Sequence, residues 1–178
     1  MEFFDYAKKN GGVRNILKQG LVLLTVLTSA FMLWKTLCVY TNCESPAVVV
    51  LSGSMEPAFY RGDVLFLTNG KSPIEIGEII VYKVSGKDIP IVHRVMRTHT
   101  EKSTGKQYLL TKGDNNKVDD RGLYAKGQMW IEREHIFGRV YGHVPYVGMV
   151  TIYLSDYPKL KYLVLSSLCL LSLFEPEQ

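Results

Sequence analysis

From Ile16 to Tyr40 the chain runs for 25 residues with almost no polarity, broken only by Lys18, Gln19, Lys35 and small polar side chains. As a helix this stretch reaches about 37 Å, enough to cross the ~30 Å hydrocarbon core of a bilayer. A helix that is apolar all round has to be buried in lipid or in other protein, so this run limits the possible architectures more than any other. The lysines stand near its ends, where long stems carry their charges to the headgroups. The competing reading is a cleavable leader. Against it, the run continues through Phe31-Met32-Leu33-Trp34, past the small-x-small site Thr28-Ser29-Ala30. It is also longer than a leader's apolar region and follows a polar segment rather than a short basic cap. The stretch reads as an uncleaved anchor.

Lys8, Lys9, Arg14 and Lys18 lie before or at the start of the span, whereas Lys35 alone marks its far end and the next charge is Glu44. The excess of cations predicts a cytosolic N-terminus and an extracytoplasmic remainder. Four regions follow: a cytosolic tail over 1–15, an anchor over 16–40, a folded domain over 41–157, and a short apolar helix with its tail over 158–178. The apolar part of that last region, Tyr162 to Phe174, makes a helix of only about 20 Å. It is expected to dip into the bilayer from the domain side, with Lys159 and Lys161 at the headgroups.

Between Ser45 and Val144 the hydrophobic period is mostly two. Strands are predicted at Pro46–Leu51, Asp63–Leu67, Glu78–Lys83, Ile89–Thr98, Lys106–Lys112, Gln128–Glu132 and Ile136–Val144. Gly-, Asn- and Asp-rich turns separate them. The fold class is therefore mainly β: an antiparallel domain of about 100 residues on a single transmembrane helix. A short helix is predicted over Pro145–Leu154. The net charge of +4 is spread evenly, with no basic stripe, zinc-finger spacing or phosphate-cradling loop, so no nucleic-acid partner is expected. Cys38, Cys43 and Cys169 make no disulfide framework. No histidine pair has the spacing of a metal clamp, and neither a metal nor another cofactor is expected.

Chemistry is most legible at Ser52-Gly53-Ser54-Met55-Glu56-Pro57, which follows the apolar run Ala47-Val48-Val49-Val50-Leu51. A serine where a strand leaves its sheet, beside backbone donors freed by Gly53, supplies a nucleophile and an oxyanion site together. A plain Ser/Gly strand exit is the simpler reading of the tripeptide alone. Among the histidines, His93 has the most strand-like setting: Ile91, His93 and Val95 share one face, and Arg94 points the other way. A half-buried imidazole there suits general-base work. Acids for the base cluster in the polar segment 112–122, at Asp114, Asp119 and Asp120. Asp119 and Asp120 cannot both enter one low-dielectric pocket, so one of them should face solvent or pair with Arg121.

Ser-Gly-Ser-Met-Glu-Pro at 52–57, Ile-Val-His-Arg-Val at 91–95, and Gly-Asp-Asn-Asn followed by Asp-Asp-Arg across 113–121 together resemble the type I signal peptidases. Histidine at 93, where bacterial members carry lysine, is similar to the endoplasmic-reticulum and archaeal branch. The resemblance extends from the anchor to the apolar tail. It implies Ser54 as nucleophile, His93 as general base, Asp120 as the acid that orients it, and Asp114 as a second required acid. The Ser54 N–H and the Ser52 hydroxyl would hold the oxyanion. It further implies signal peptides with small side chains at −1 and −3 as substrates; an extended cleavage segment is expected to add to the sheet edge beside Val48–Leu51, near Val48, Val50 and Met55. Accessory subunits of a signal peptidase complex, membrane lipid and a lumenal catalytic domain in the endoplasmic reticulum are implied as well. Two rivals stand beside it: a Ser–Lys protease using Lys83 or Lys112, and a membrane-tethered β module that binds without cutting.

Overall fold

The computed structural model describes residues 13–84, 86, 89–159, 161–163 and 166–167, and the chain divides into two units after Thr41. The first unit carries α1, Val13–Thr41, a helix of 29 residues. Its apolar side chains, among them Leu21, Leu24, Leu27, Phe31 and Leu33, are exposed. Its serine and threonine hydroxyls bond back onto the helix itself. The hydroxyls of Thr25, Thr28 and Thr36 each donate to the carbonyl four residues back, at 2.8–2.9 Å. Each such bond satisfies a group that would otherwise be costly in an apolar medium.

The second unit is built on one seven-stranded antiparallel sheet. Its strands are β1 (Ala47–Val49), β2 (Val64–Thr68), β3 (Ile79–Tyr82), β4 (Ile91–Thr100), β5 (Gln107–Lys112), β6 (Ile131–Glu132) and β7 (Ile136–Val144). They lie in the order β1-β2-β7-β3-β4-β5-β6, so the last strand in sequence sits between the second and third. Every strand expected from the hydrophobic period is present. β2 alternates buried Leu65 and Leu67 with exposed Phe66, as a half-buried strand does. β3, an unbroken Ile-Ile-Val-Tyr, is central and covered on both faces. Ile80 and Tyr82 join Val84, Val95, Leu109, Ile131 and Ile136 in one core. Val81 packs with Met55, Phe59, Leu65 and Leu67 in the other. Each of these large side chains contributes about 1.5–3 kcal/mol by leaving water.

Register shifts interrupt the ladders at Phe66/Leu67, Val81/Tyr82 and Val95/Arg97. Such bulges bend a sheet and re-aim side chains. The helix expected over Pro145–Leu154 begins later, as α2 (Met149–Asp156). The residues before it are held in a turn instead: Tyr146 has φ 61°, and its N–H donates to the buried Asp63 Oδ1 at 3.1 Å. The Gly148 N–H donates to the Gly62 carbonyl at 2.8 Å. Most of the apolar stretch Tyr162–Phe174 lies outside the described residues.

Candidate active site

The exit from β1 is pinned before the serine is reached. The Val50 N–H donates to the Asp63 carbonyl at 2.9 Å, and the Gly62 N–H to the Val50 carbonyl at 2.8 Å. Met55, 1% exposed, anchors the next turn in the core and leaves Ser54 half-exposed above it. From the other side Asn115 clasps the turn: its N–H reaches the Ser54 carbonyl at 2.9 Å and its amide the Gly53 carbonyl at 3.1 Å. Gly53 does not take positive φ. A Cβ there would meet only the movable Glu56 carboxylate, at 2.8 Å. Gly113 is far more constrained, because a Cβ on it would lie 2.7 Å from the Ser54 carbonyl oxygen and 2.8 Å from His93 Nε2.

His93 pairs in register with Ile80, on the same face of β4 as Ile91 and Val95. It is 3% exposed, buried rather than half-buried as expected, because Asp120 bonds its ring and the Tyr82 ring packs edge-on to it at 6.5 Å. Its Nε2 lies 3.1 Å from Ser54 Oγ and its Nδ1 2.5 Å from Asp120 Oδ2. Ser52 Oγ stands 3.3 Å from Ser54 Oγ. The structure thus brings Ser54, His93 and Asp120 into one hydrogen-bonded row with Ser52 at its open end.

The three acids of the 112–122 segment go to different places. Asp120, 1% exposed, opens a 3-10 turn (Asp120–Gly122), where its own carbonyl accepts the N–H groups of Leu123 and Tyr124. Asp119 caps that turn and pairs with Arg121 at 3.8 Å. Asp114 lies apart from His93. It takes a two-pronged contact from Arg94, Nε to Oδ1 at 2.9 Å and Nη2 to Oδ2 at 2.7 Å. Arg94 Nη1 also reaches the Gly77 carbonyl, tying the loop to the sheet. The pairing raises the Arg94 guanidinium above its ordinary value, the hydrogen bonds to Asp114 outweighing desolvation.

Burial pushes the Asp120 carboxyl toward its neutral form. Hydrogen bonds from His93, Thr111 and Tyr82, with the charge attraction of His93, outweigh this and hold the carboxyl below the usual carboxylate range. Desolvation, reinforced by the Asp120 charge, holds the Tyr82 phenol well above its ordinary value, so it remains a donor. Among the described residues neither Lys83 nor Lys112 hydrogen-bonds Ser54; Lys112 Nζ reaches the Gly113 carbonyl at 3.5 Å. Nor do three His, Cys, Asp or Glu side chains gather there as a metal-binding group.

Beside the row opens an apolar cleft of about 620 Å³, lined on one side by Val48, Val50, Leu51 and Met55 and on the other by Ile89, Ile91 and Leu123. Val48, Val50 and Met55 are the residues the sequence offered for substrate contact; Ile89, Ile91 and Leu123 it did not. Nor did it offer Tyr82 and Thr111, though a polar group inside each apolar strand was a signal that something polar had to meet it. β1 is a terminal strand, so one of its edges is open beside the cleft.

A hydroxyl, an imidazole and a carboxylate in series, at the end of an apolar cleft and next to an open strand, define the class: a candidate peptidase site on an antiparallel β sheet. Comparison with known proteins narrows the class. The family model described as "Signal peptidase C-terminal short helix" matches residues 149–174. The human signal peptidase complex catalytic subunit SEC11C is 58% identical over 92% of this chain and 84% of its own length. SEC11 of Schizophyllum commune is 52% identical over 93% of this chain and 94% of its own. SEC11 of Plasmodium falciparum is 46% identical over 94% and 88%. The chain belongs to the family of signal peptidase complex catalytic subunits.

Proposed function

We propose that this chain removes N-terminal signal peptides from proteins entering the secretory pathway, with Ser54 as nucleophile, His93 as general base and Asp120 as the acid that orients it. The observation that carries the reading is the position of the His93 ring, with Nε2 on Ser54 Oγ at 3.1 Å and Nδ1 on Asp120 Oδ2 at 2.5 Å. Membership of the signal peptidase family supports the substrate class.

His93 Nε2 takes the Ser54 proton as Oγ attacks the scissile carbonyl carbon. The oxyanion forms beside the Ser54 N–H and the Ser52 hydroxyl. Collapse breaks the C–N bond, His93 returns the proton to the leaving amine, and an acyl-Ser54 ester remains. Water, deprotonated by His93, then hydrolyses the ester. Asp120 keeps Nδ1–H facing itself throughout and stabilises the imidazolium without accepting its proton. The segment before the cut lies extended along Val48–Leu51, adding a strand to the open edge of β1, and its alternate side chains enter the cleft. Asp114 holds the loop through Arg94 and does not touch the reacting groups. α1 anchors the chain in the endoplasmic-reticulum membrane, N-terminus in the cytosol, and the β domain works on the lumenal side with accessory subunits. The segment 158–178 associates with the membrane from that side.

The test is preprotein cleavage by the complex carrying Ser54→Ala, His93→Ala or Asp120→Asn. Each variant accumulates normally; the first two give no product, and Asp120→Asn loses on the order of 10⁴-fold in rate. Undiminished processing by Ser54→Ala would falsify the proposal.

A further inference from the structure

Asp120 is held in an asymmetric way. Its Oδ2 accepts from His93 Nδ1 at 2.5 Å, from the Tyr82 hydroxyl at 3.0 Å and from the Thr111 hydroxyl at 2.6 Å. Its Oδ1 is buried without a partner among the described residues. The two oxygens of a carboxylate are chemically equivalent, so packing alone gives no reason for all three donors to meet on the oxygen that faces the ring.

The direction of the hydrogen bonds follows from the donors available. A threonine hydroxyl has one proton, and Thr111 Oγ1 has three neighbours: Asp120 Oδ2, the Tyr124 hydroxyl at 2.9 Å and the Tyr82 hydroxyl at 3.2 Å. The Thr111 N–H donates to the Tyr124 oxygen at 3.0 Å, so that oxygen is an acceptor on one side. Its own proton then turns to Thr111 Oγ1, which leaves the threonine proton for Asp120. The resulting chain runs from backbone N–H to Tyr124, to Thr111, to Asp120, and Tyr82 joins it at the carboxylate. Thr111 and Tyr82 are 0% exposed, Asp120 1% and Tyr124 7%, so water cannot stand in for a missing donor.

We propose that Tyr82 and Thr111, the latter oriented by Tyr124, are positioning residues that keep Asp120 ionised and presented to His93 through a single oxygen. This rests on the Ser54–His93–Asp120 reading and extends it. Donors shared on Oδ2 spread its charge and make it a poorer proton acceptor, so the proton stays on the imidazolium. They also fix the carboxyl plane, and with it the ring and the reach of Nε2 to Ser54. The titratable groups facing this carboxyl are His93 from β4, Tyr82 from β3 and Tyr124 beyond the 3-10 turn. Asp119 and Arg121 pair with each other on its own turn. Burial keeps both phenols above their ordinary values and therefore protonated.

The experiment uses the full chain assembled with its accessory subunits, a synthetic preprotein with alanine at −1 and −3, and pH profiles of kcat and kcat/KM. Thr111→Val and Tyr82→Phe preserve shape and remove one hydroxyl each. Each is expected to lower kcat roughly ten- to hundredfold, the cost of one hydrogen bond to a charged group, with KM within about twofold. The acid limb of kcat/KM moves to higher pH, because a carboxylate stripped of a donor accepts more strongly from His93 Nδ1–H and favours the imidazolium over the free base. Thr111→Ser, which keeps the donor and loses a methyl group, restores kcat and the original limb. An unshifted limb with kcat within twofold in both hydroxyl deletions overturns the inference. So does equal loss in Thr111→Ser and Thr111→Val, which traces the effect to packing. Ser54→Ala run alongside separates the two levels. Cleavage surviving that change defeats the serine mechanism itself; cleavage lost there but intact in Thr111→Val defeats only the positioning role.

Discussion

Replacing Gly113 by alanine adds one methyl group at the most crowded backbone position near the proposed nucleophile. The new Cβ would stand 2.7 Å from the Ser54 carbonyl oxygen, 2.8 Å from His93 Nε2 and 2.7 Å from Asn116 Nδ2. Ordinary contact begins at 3.4 Å, so these atoms have to recede by about 0.6–0.7 Å. The Asn116 amide can swing away. The other two are tethered, Ser54 O by the Asn115 N–H at 2.9 Å and the His93 ring by Asp120 at 2.5 Å. Where the ring recedes along the Nε2–Oγ line, the 3.1 Å contact lengthens to about 3.7 Å, beyond hydrogen-bond range. A displacement approaching 1 Å at reacting atoms costs on the order of 10²-fold in rate, and overpacking costs about 1–3 kcal/mol in stability. Gly113→Ala is therefore expected to slow cleavage roughly ten- to hundredfold at saturating preprotein, measured as initial rate well below the variant's own melting temperature. A variant that folds and cleaves at the unaltered rate would show that the Ser54–His93 contact does not govern turnover.

Arg94→Lys keeps the charge facing Asp114 but loses the fork, and should cost about 1–2 kcal/mol in denaturant unfolding; no change would mean the fork does not hold the loop. Val48→Trp occupies the cleft while leaving the pairing of β1 with β2 intact, so KM for a preprotein should rise several-fold, and an unchanged KM would remove the cleft from substrate binding. Asp120 titrates below its unfolded value, so the stability it supplies is complete above about pH 5 and is lost as pH falls through the folded value. The melting-temperature gap between the unaltered chain and Asp120→Asn is accordingly flat near neutrality and closes below about pH 4; a gap constant down to pH 3 would contradict the assignment.

Much of the fold was legible because its signals are local. Ile79-Ile80-Val81-Tyr82 has too many apolar residues in succession for a half-exposed strand, and it is covered on both faces. Val64-Leu65-Phe66-Leu67 is equally apolar, yet only Leu65 and Leu67 turn inward and Phe66 is exposed, a difference set by the neighbouring strands rather than by the local sequence. The helix before Leu154 was less legible. Nothing near Pro145 reveals that Asp63, far back in the chain, captures the Tyr146 N–H and delays the first helical turn. The bulges at Val95/Arg97 and Val81/Tyr82 are equally silent in sequence, since an extra residue shows only against a partner strand.

Composition by itself determined that the chain pairs a long apolar helix with a β domain of short alternating strands, because those periods are written into neighbouring residues. It also brought forward Ser54, His93 and three acids as groups able to do chemistry. Residue types alone left all three acids open, the family resemblance favoured Asp120, and the tertiary structure sets Asp120 on the imidazole. Asp114 and Asp120 are alike in type and six positions apart, and it is the packing of β3, β4 and β5 that turns one toward Arg94 and buries the other among Tyr82, Thr111 and His93. A carboxylate's partner depends on strand order, and strand order joins segments far apart along the chain.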